Sequence, residues 1–483
     1  MALAPFLSNI LVSQSPPQIQ PGSPARRSFL KQSAIASGFL GLGLYLHADK
    51  EGKASKRVIA PYGPLVPDKD KLLDLPADFT YQVISKGGTR MSDGLRVPGK
   101  FDDMAAFSGE DGRVILIRNH EIALDQPSFG PFPDNRLPGN LDRSLLYDPG
   151  EGDELPQFGG TTTLVYNPAT GRTEKEFLSL AGSARNCSGG MMPWGSWITC
   201  EECFDLVSDR RARLHGYCFE VKADPSLGLQ KAVPLRGLGR FCHEAVACDP
   251  GDGSVYLTED RGDSLLYRFV PDRKQDLTSG KLYALGVKDH KSADLRNHQP
   301  QSKRVIKEGQ QLATYWIELD DPASPKDDLR LKGFRQGAAR FSRGEGIFYD
   351  KGAIYLCCTN GGPQKRGQIF RILPHNDQRP EPMVELFLEP RKSDLLTSGD
   401  NLCVAPNGDL IICEDLIDPF KKQQLPHLRG ITPEGQIFTL ARNPDAKNKH
   451  EFSGSIFSPD GSILFVNIQT LDHTFAIRGP WRG

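Results

Sequence analysis

Gly352-Ala-Ile-Tyr-Leu-Cys-Cys-Thr-Asn360, Gly408-Asp-Leu-Ile-Ile-Cys-Glu-Asp415 and Gly461-Ser-Ile-Leu-Phe-Val-Asn467 share one form. Each opens on a turn glycine, runs through a short apolar strand and stops abruptly at polar or acidic residues. The same form stands earlier in the chain, at 112–121, 195–202 and 253–260. A short apolar strand precedes each copy, at 104–107, 189–192, 245–248, 347–349, 402–405 and 455–458. Aromatic and β-branched strands follow most of them, as at 265–270, 368–372 and 436–440. The last three glycines lie at about the spacing of a four-stranded propeller blade. The expected fold is therefore all-β: a six-bladed β-propeller with inserted surface loops. The wider gaps around 125–158 and 272–312 are read as the insertions, because their composition is polar, charged and Pro-rich. Segment 312–340 is where a seventh, degenerate blade would lie, and a β-sandwich with coincidental hairpins is the competing architecture.

Bulk properties agree with many short strands and tight turns. The 483 residues include Gly 49 and Pro 37, and hydrophobic residues make up 38%. The formal charge of −1 carries no basic excess, so nothing in it points to nucleic acid or an anionic membrane. The ten cysteines do not have the spacing of a small disulfide scaffold. Several sit in apolar runs, at 357–358 and 413, where buried inert thiols are expected. Cys200 and Cys203 form a lone CxxC, a weak zinc or redox signal without a second pair.

The N-terminus carries an address. Arg26-Arg27-Ser28-Phe29-Leu30-Lys31 is a twin-arginine signature, and an apolar stretch follows over 34–46. That stretch is too short to span a bilayer comfortably and suits a signal core. The expected organisation is a signal region over 1–50, a linker over 51–75 and a single propeller over 76–483. The expected partner is the twin-arginine translocation machinery. The expected location is the periplasm or the exterior, with cleavage or retention as a membrane anchor left open. A monomer is expected.

In a propeller the innermost strand runs along the axis and the next returns beside it. The start of the first and the end of the second therefore meet at one mouth. Asp102 and Asp103 should fall beside Asn119 and Glu121, and Cys187 beside Glu201 and Glu202. His243 and Glu244 should meet Glu259 and Asp260, Glu345 should meet Asn360, and Asp400 and Asn401 should meet Glu414 and Asp415. Asn467 would close the set. Carboxylates crowded around one axis repel strongly unless cations neutralise them. Oxygen donors suit Ca²⁺ or Mg²⁺, whereas the thiol of Cys187 suits a transition metal. Arg261 and Arg340 are the candidates to orient an anionic substrate. His243 is the candidate general base if the propeller is instead a calcium-dependent esterase or lactonase. A non-catalytic scaffold braced by metals is the third reading.

Asn186-Cys187-Ser188-Gly189-Gly190, Pro193-Trp194-Gly195 and Thr199-Cys200-Glu201-Glu202 resemble the PhoX-type alkaline phosphatases. The resemblance continues at Gly239-Arg240-Phe241, His243-Glu244-Ala245, Asp400-Asn401 and Phe457-Ser458-Pro459-Asp460-Gly461, and covers roughly 75–480. It implies a six-bladed propeller that holds Fe³⁺ and Ca²⁺ on its axis and hydrolyses phosphate monoesters. It further implies Cys187 as the iron thiolate ligand, and Glu202, Glu244 and Glu345 as metal-binding carboxylates. Glu121, Asp260, Asn401 and Glu414 complete the expected set.

Overall fold

The glycines that open the six repeats all take left-handed backbone, with φ between 72° at Gly461 and 90° at Gly408. That conformation is nearly free only for glycine and lets the chain reverse within a hairpin. The strands on either side follow from the apolar runs already noted. The computed structural model describes residues 57–151, 155–208, 211–391, 394–415, 425–445 and 451–482. The twin-arginine stretch lies outside the described residues. None of the described helices is long and apolar enough to cross a membrane.

In chain order, β1 (Leu65–Val66) and β2 (Leu75–Pro76) form a short antiparallel pair, and β3 (Thr80–Lys86) follows. The first four-stranded sheet is β4 (Phe101–Ser108), β5 (Val114–His120), β6 (Gly159–Asn167) and β7 (Arg172–Ser183). A three-stranded sheet holds β8 (Asn186–Met192), β9 (Ser196–Glu201) and β10 (Cys218–Lys222). Next come β11 (His243–Cys248), β12 (Val255–Glu259), β13 (Tyr267–Arg273), β14 (Asp276–Val287) and β15 (Gln311–Glu318). They share a nine-stranded sheet with β16 (Gly344–Asp350), β17 (Ala353–Cys358), β18 (Gln368–Leu373) and β19 (Met383–Leu388). The next four-stranded sheet is β20 (Gly399–Val404), β21 (Leu410–Glu414), β22 (His427–Ile431) and β23 (Ile437–Arg442). The last is β24 (Phe452–Phe457), β25 (Leu464–Ile468) and β26 (His473–Arg478), completed by β3 from the other end of the chain.

The architecture is all-β and propeller-like. The first strands touch in a closed cycle, β4 to β8, β8 to β11, β11 to β16, β16 to β20, β20 to β24 and β24 back to β4. Ring closure depends on β3, whose pairing with β26 runs from Lys86–His473 to Thr80–Arg478. Apolar side chains fill the spaces between adjacent sheets, as where Leu116, Leu164, Ile456 and Phe465 share one buried cluster. Along the axis the strands come too close for side chains: a Cβ on Gly190 would lie 1.9 Å from the carbonyl oxygen of Val246.

The sheets depart from six equal, separate blades. One has three strands, and two repeat units run together because β15 pairs with both β14 and β19. Segment 312–340 is therefore no blade; it contributes β15 and the short helix α1 (Leu329–Gln336). The insertion around 125–158 is more than a surface loop. It buries Phe132, Leu146, Tyr147 and Phe158 and carries the fully buried Asp148. The stretch expected as a linker packs onto β23: Val58 bridges Ile437, Asp74 bridges Arg442, and Leu73 and Leu75 are buried.

Candidate metal centre

Each first hairpin breaks register at the same place. The shifts fall between Phe101 and Met104, Asn186 and Gly189, His243 and Val246, Gly344 and Ile347, Gly399 and Leu402, and Ser453 and Ile456. A β-bulge adds a residue to one strand and re-aims a side chain. The residue just inside each bulge is Asp102, Cys187, Glu244, Glu345, Asp400 and Gly454. The second strands supply a matching set just past their ends: Glu121 after β5, Glu202 after β9, Asp260 after β12, Asp415 after β21 and Gln469 after β25. Both sets belong to the same mouth of the ring.

Their side chains converge. Ligand atoms of Glu121, Cys187 and Glu202 lie within 4.8 Å of one another, and so do those of Glu244, Glu345 and Asp400. The Cys187 thiol donates to Glu244 Oε1 at 3.3 Å and so links the two groups. Gln469 Nε2 donates to Asp102 Oδ2 at 3.1 Å and to Glu121 Oε2 at 2.9 Å. Glu451, just before β24, is hydrogen-bonded to Asp415. Burial, then repulsion from neighbouring carboxylates, pushes Asp102, Glu202, Glu244, Glu345, Asp400 and Glu451 well above the ordinary carboxylate range. The same causes raise the Cys187 thiol well above its usual value.

Two arginines reach into this acidic ring. Arg185 donates to Glu121 Oε1 at 2.7 Å and to Glu202 Oε2. Arg343 contacts Asp260 and Glu345, each at 2.9 Å, and stands 3.6 Å from Asp415. They cannot neutralise the whole ring. Glu244 Oε2 is buried and has no hydrogen-bond partner. A buried, unpaired carboxylate oxygen facing other carboxylates is a strongly unfavourable arrangement that a cation relieves. The donor set thus fits metal ions, with one all-oxygen group and one that includes a thiol.

Of the expected site residues, Cys187, Glu121, Glu202, Glu244, Asp260 and Glu345 belong to this ring. Others face away from it. Glu414 is the last residue of β21 and lies against Arg429 at 2.9 Å and His427 at 3.3 Å. Burial opposes its charge, yet Arg429 and His427 hold its carboxyl below the usual value. The neighbour beyond the strand, Asp415, is the one in the ring. Asn401 accepts from the backbone N–H of Gly454 at 2.9 Å and braces two first strands, while Asp400 is the residue inside the bulge. His243 is fully buried, stacks on Phe241 at 3.7 Å and donates to the Gly239 carbonyl through Nε2 at 3.1 Å. Burial lowers its pKa to about 4. Arg340 lies over Phe334 of α1 at 3.8 Å, away from the ring. Arg261 stands at the rim, in a cleft shared with Arg185 and Glu202.

Asp102, Asp400 and Asp415 were legible only as members of expected pairs; the bulge selects the first two over their neighbours, and the end of β21 selects Asp415. Glu451, Arg185 and Arg343 each precede a first strand by one residue, the arginines with φ of 46° and 49°, and the Gly-strand-acid form did not include that position.

A propeller-like ring that gathers carboxylates and a cysteine at one mouth defines a class of β-protein whose axis offers groups that could hold metal ions. Comparison with known proteins narrows that class. The family described as alkaline phosphatase PhoX matches residues 60–472, and the chain belongs to that family; it is an alkaline phosphatase. The structure of Pseudomonas fluorescens PhoX in complex with vanadate, a transition state analogue, is similar with a TM-score of 0.59 and 18% identity. The match covers 86% of this chain and 97% of that one. A putative gluconolactonase has a TM-score of 0.40 at 12% identity, covering 88% of this chain and 98% of its own. A gluconolactonase of Xanthomonas campestris has a TM-score of 0.39 at 10% identity, covering 87% and 99%. No curated protein matches by sequence.

Proposed function

We propose that this phosphatase hydrolyses phosphate monoesters at a multi-metal centre on the axis of a six-bladed propeller, and that it works after export by the twin-arginine route. The six-blade count treats the nine-stranded sheet as two blades joined through β15. The observation that carries the metal reading is the ring itself, with the unpartnered Glu244 Oε2 among carboxylates and the Cys187 thiol.

The thiol-containing group of Glu121, Cys187 and Glu202 suits Fe³⁺, and the all-oxygen group of Glu244, Glu345 and Asp400 suits Ca²⁺. When bound, such ions would neutralise phosphate charge and acidify water. The chain's own part is positioning. Phosphoryl transfer depends on charge stabilisation and alignment rather than on covalent chemistry by the protein. Arg185 and Arg343 present guanidinium groups at opposite arcs of the ring and can each hold phosphate oxygens in a two-pronged grip. Their present partners, Glu121, Glu202, Asp260 and Glu345, are the residues that would turn to the metals, which frees both arginines for the substrate. Arg261, further out, faces the organic part of the ester.

The lactonase alternative needs His243 as a base. Its ring is buried, stacked and held neutral, with no path to a substrate at the mouth. Export rests on the Arg26-Arg27 signature and its apolar stretch; a folded chain loaded with metal suits a route that carries folded cargo. The deciding experiment is metal analysis of the natively exported protein, with assays of 4-nitrophenyl phosphate and a lactone with and without chelator. Iron with calcium and a chelator-sensitive phosphatase support the reading. Calcium alone, or turnover that survives full metal removal, sinks it.

A further inference from the structure

Beside the ring a cleft of about 510 Å³ opens from Glu202 and Arg185. Its lining includes three arginines, Arg185, Arg211 and Arg261, and three carboxylates, Asp125, Glu202 and Asp205. Arg211 is paired with Asp205, Arg185 with Glu202, and Arg261 stands 3.6 Å from Asp327. The cleft is therefore close to neutral, and a strongly charged occupant gains nothing net from it. Its apolar lining includes Leu124 and Phe204, with Ala123, Cys203 and Cys242. Phe204 is half-buried, and the guanidinium of Arg240 lies 3.7 Å from its ring centroid. Arg240 is itself fully buried, with Nε donating to the His215 carbonyl and Nη2 to the Asp205 carbonyl, both at 2.7 Å. One face of the ring is thus held by an immobile cation, and a rigid aromatic surface loses little freedom when a second ring stacks on its other face.

We infer that this cleft receives the leaving group of the ester, and that it selects an uncharged planar aromatic group laid against Phe204. The inference rests on the monoesterase reading, which places the phosphate at the ring end of the cleft. Phe204 and Leu124 contact the organic part, and the N–H groups of Arg261 at the outer wall hydrogen-bond to an acceptor on its edge. The balanced charge disfavours leaving groups that carry a second phosphate or a carboxylate.

The test uses the metal-loaded enzyme and two inert analogues, phenylphosphonate and methylphosphonate, with binding followed by calorimetry. The wild type is expected to bind the phenyl compound roughly tenfold more tightly than the methyl compound. Phe204→Ala should bring that ratio to about unity, and Phe204→Trp should keep it. Equal binding of the two by the wild type overturns the inference, and so does a ratio that Phe204→Ala leaves intact. Turnover of phenyl phosphate and methyl phosphate is measured alongside. Selective phosphonate binding without hydrolysis of either ester sinks the monoesterase reading alone, whereas hydrolysis of both without phenyl selectivity sinks the cleft alone.

Discussion

Glu414 and Asp415 are neighbours with opposite fates, and the strand end between them is the cause. Glu414, still in β21, points into the sheet packing and accepts from Arg429 Nε at 2.9 Å and from the backbone N–H of Thr397 at 3.0 Å. Asp415, beyond the strand, faces the axis beside Arg343 and Glu451. Replacing one should not mimic the other. Glu414→Gln strands the buried Arg429 and should cost about 3 kcal/mol in denaturant unfolding while leaving metal content intact. Asp415→Asn should do the reverse, lowering metal content with little loss of stability. Cys187→Ala is the sharper probe of the thiol group. Iron bound per chain and phosphatase turnover should fall together, turnover by roughly 100-fold or more, and any visible charge-transfer band should vanish. Retained iron and turnover would remove Cys187 from the centre.

At the scale of elements, the hairpin of β9 and β10 shows how an insertion secures the site. His215, just before β10, bonds Glu201 Oε1 at 2.7 Å through Nδ1 and Asp148 Oδ2 at 3.2 Å through Nε2. All three side chains are fully buried. Glu201 also accepts from the backbone of Ala184, Gly216 and Tyr217, so this one carboxylate ties β9 to its neighbours beside Glu202. Burial alone would lower the His215 pKa, but Glu201 and Asp148 outweigh it and raise it to about 9. A raised histidine pKa means that the folded state holds the proton more tightly than the unfolded chain. The stabilisation is therefore complete below about pH 6.5 and is lost as pH rises through about 9. Urea unfolding of the wild type should show a loss of roughly 3 kcal/mol over that window. His215→Gln should be less stable at pH 6 by a similar amount and should lack this slope, because two buried carboxylates are left without their cation.

For the whole molecule, the ring is closed by β3 and is strained at its centre by like charges. Metal removal should thus be felt globally rather than at the mouth alone. Chelation is expected to lower Tm by several degrees at pH 8, with recovery on adding back calcium and iron. A Tm that does not move would mean that the acidic ring is relieved by something other than cations. The repeat itself was open to reading from residues: a turn glycine, an apolar strand and an acidic end are local features, and alternation shows them without any knowledge of contacts. The repeat placed Cys187, Glu202, Glu244 and Glu345 in acidic or polar pairs at one mouth, and the family resemblance at Asn186–Gly190, Thr199–Glu202 and His243–Ala245 pointed to the first three of these members. Three things required the folded chain. The bulge decides whether Asp400 or Asn401, and Glu244 or His243, faces the axis, since one extra residue exchanges the two faces of a strand. The bridging strand β15 and the closing strand β3 join segments far apart in sequence, a matter of long-range pairing. Arg185, Arg343 and Glu451 each stand one residue before a first strand, and the two arginines reach the ring from left-handed backbone, a turn that no residue type announces. Local chemistry along the chain therefore determined the strands and most of the acids, and tertiary structure decided which acid of each pair meets the axis, because the direction of a strand side chain depends on register and register is set by its neighbours.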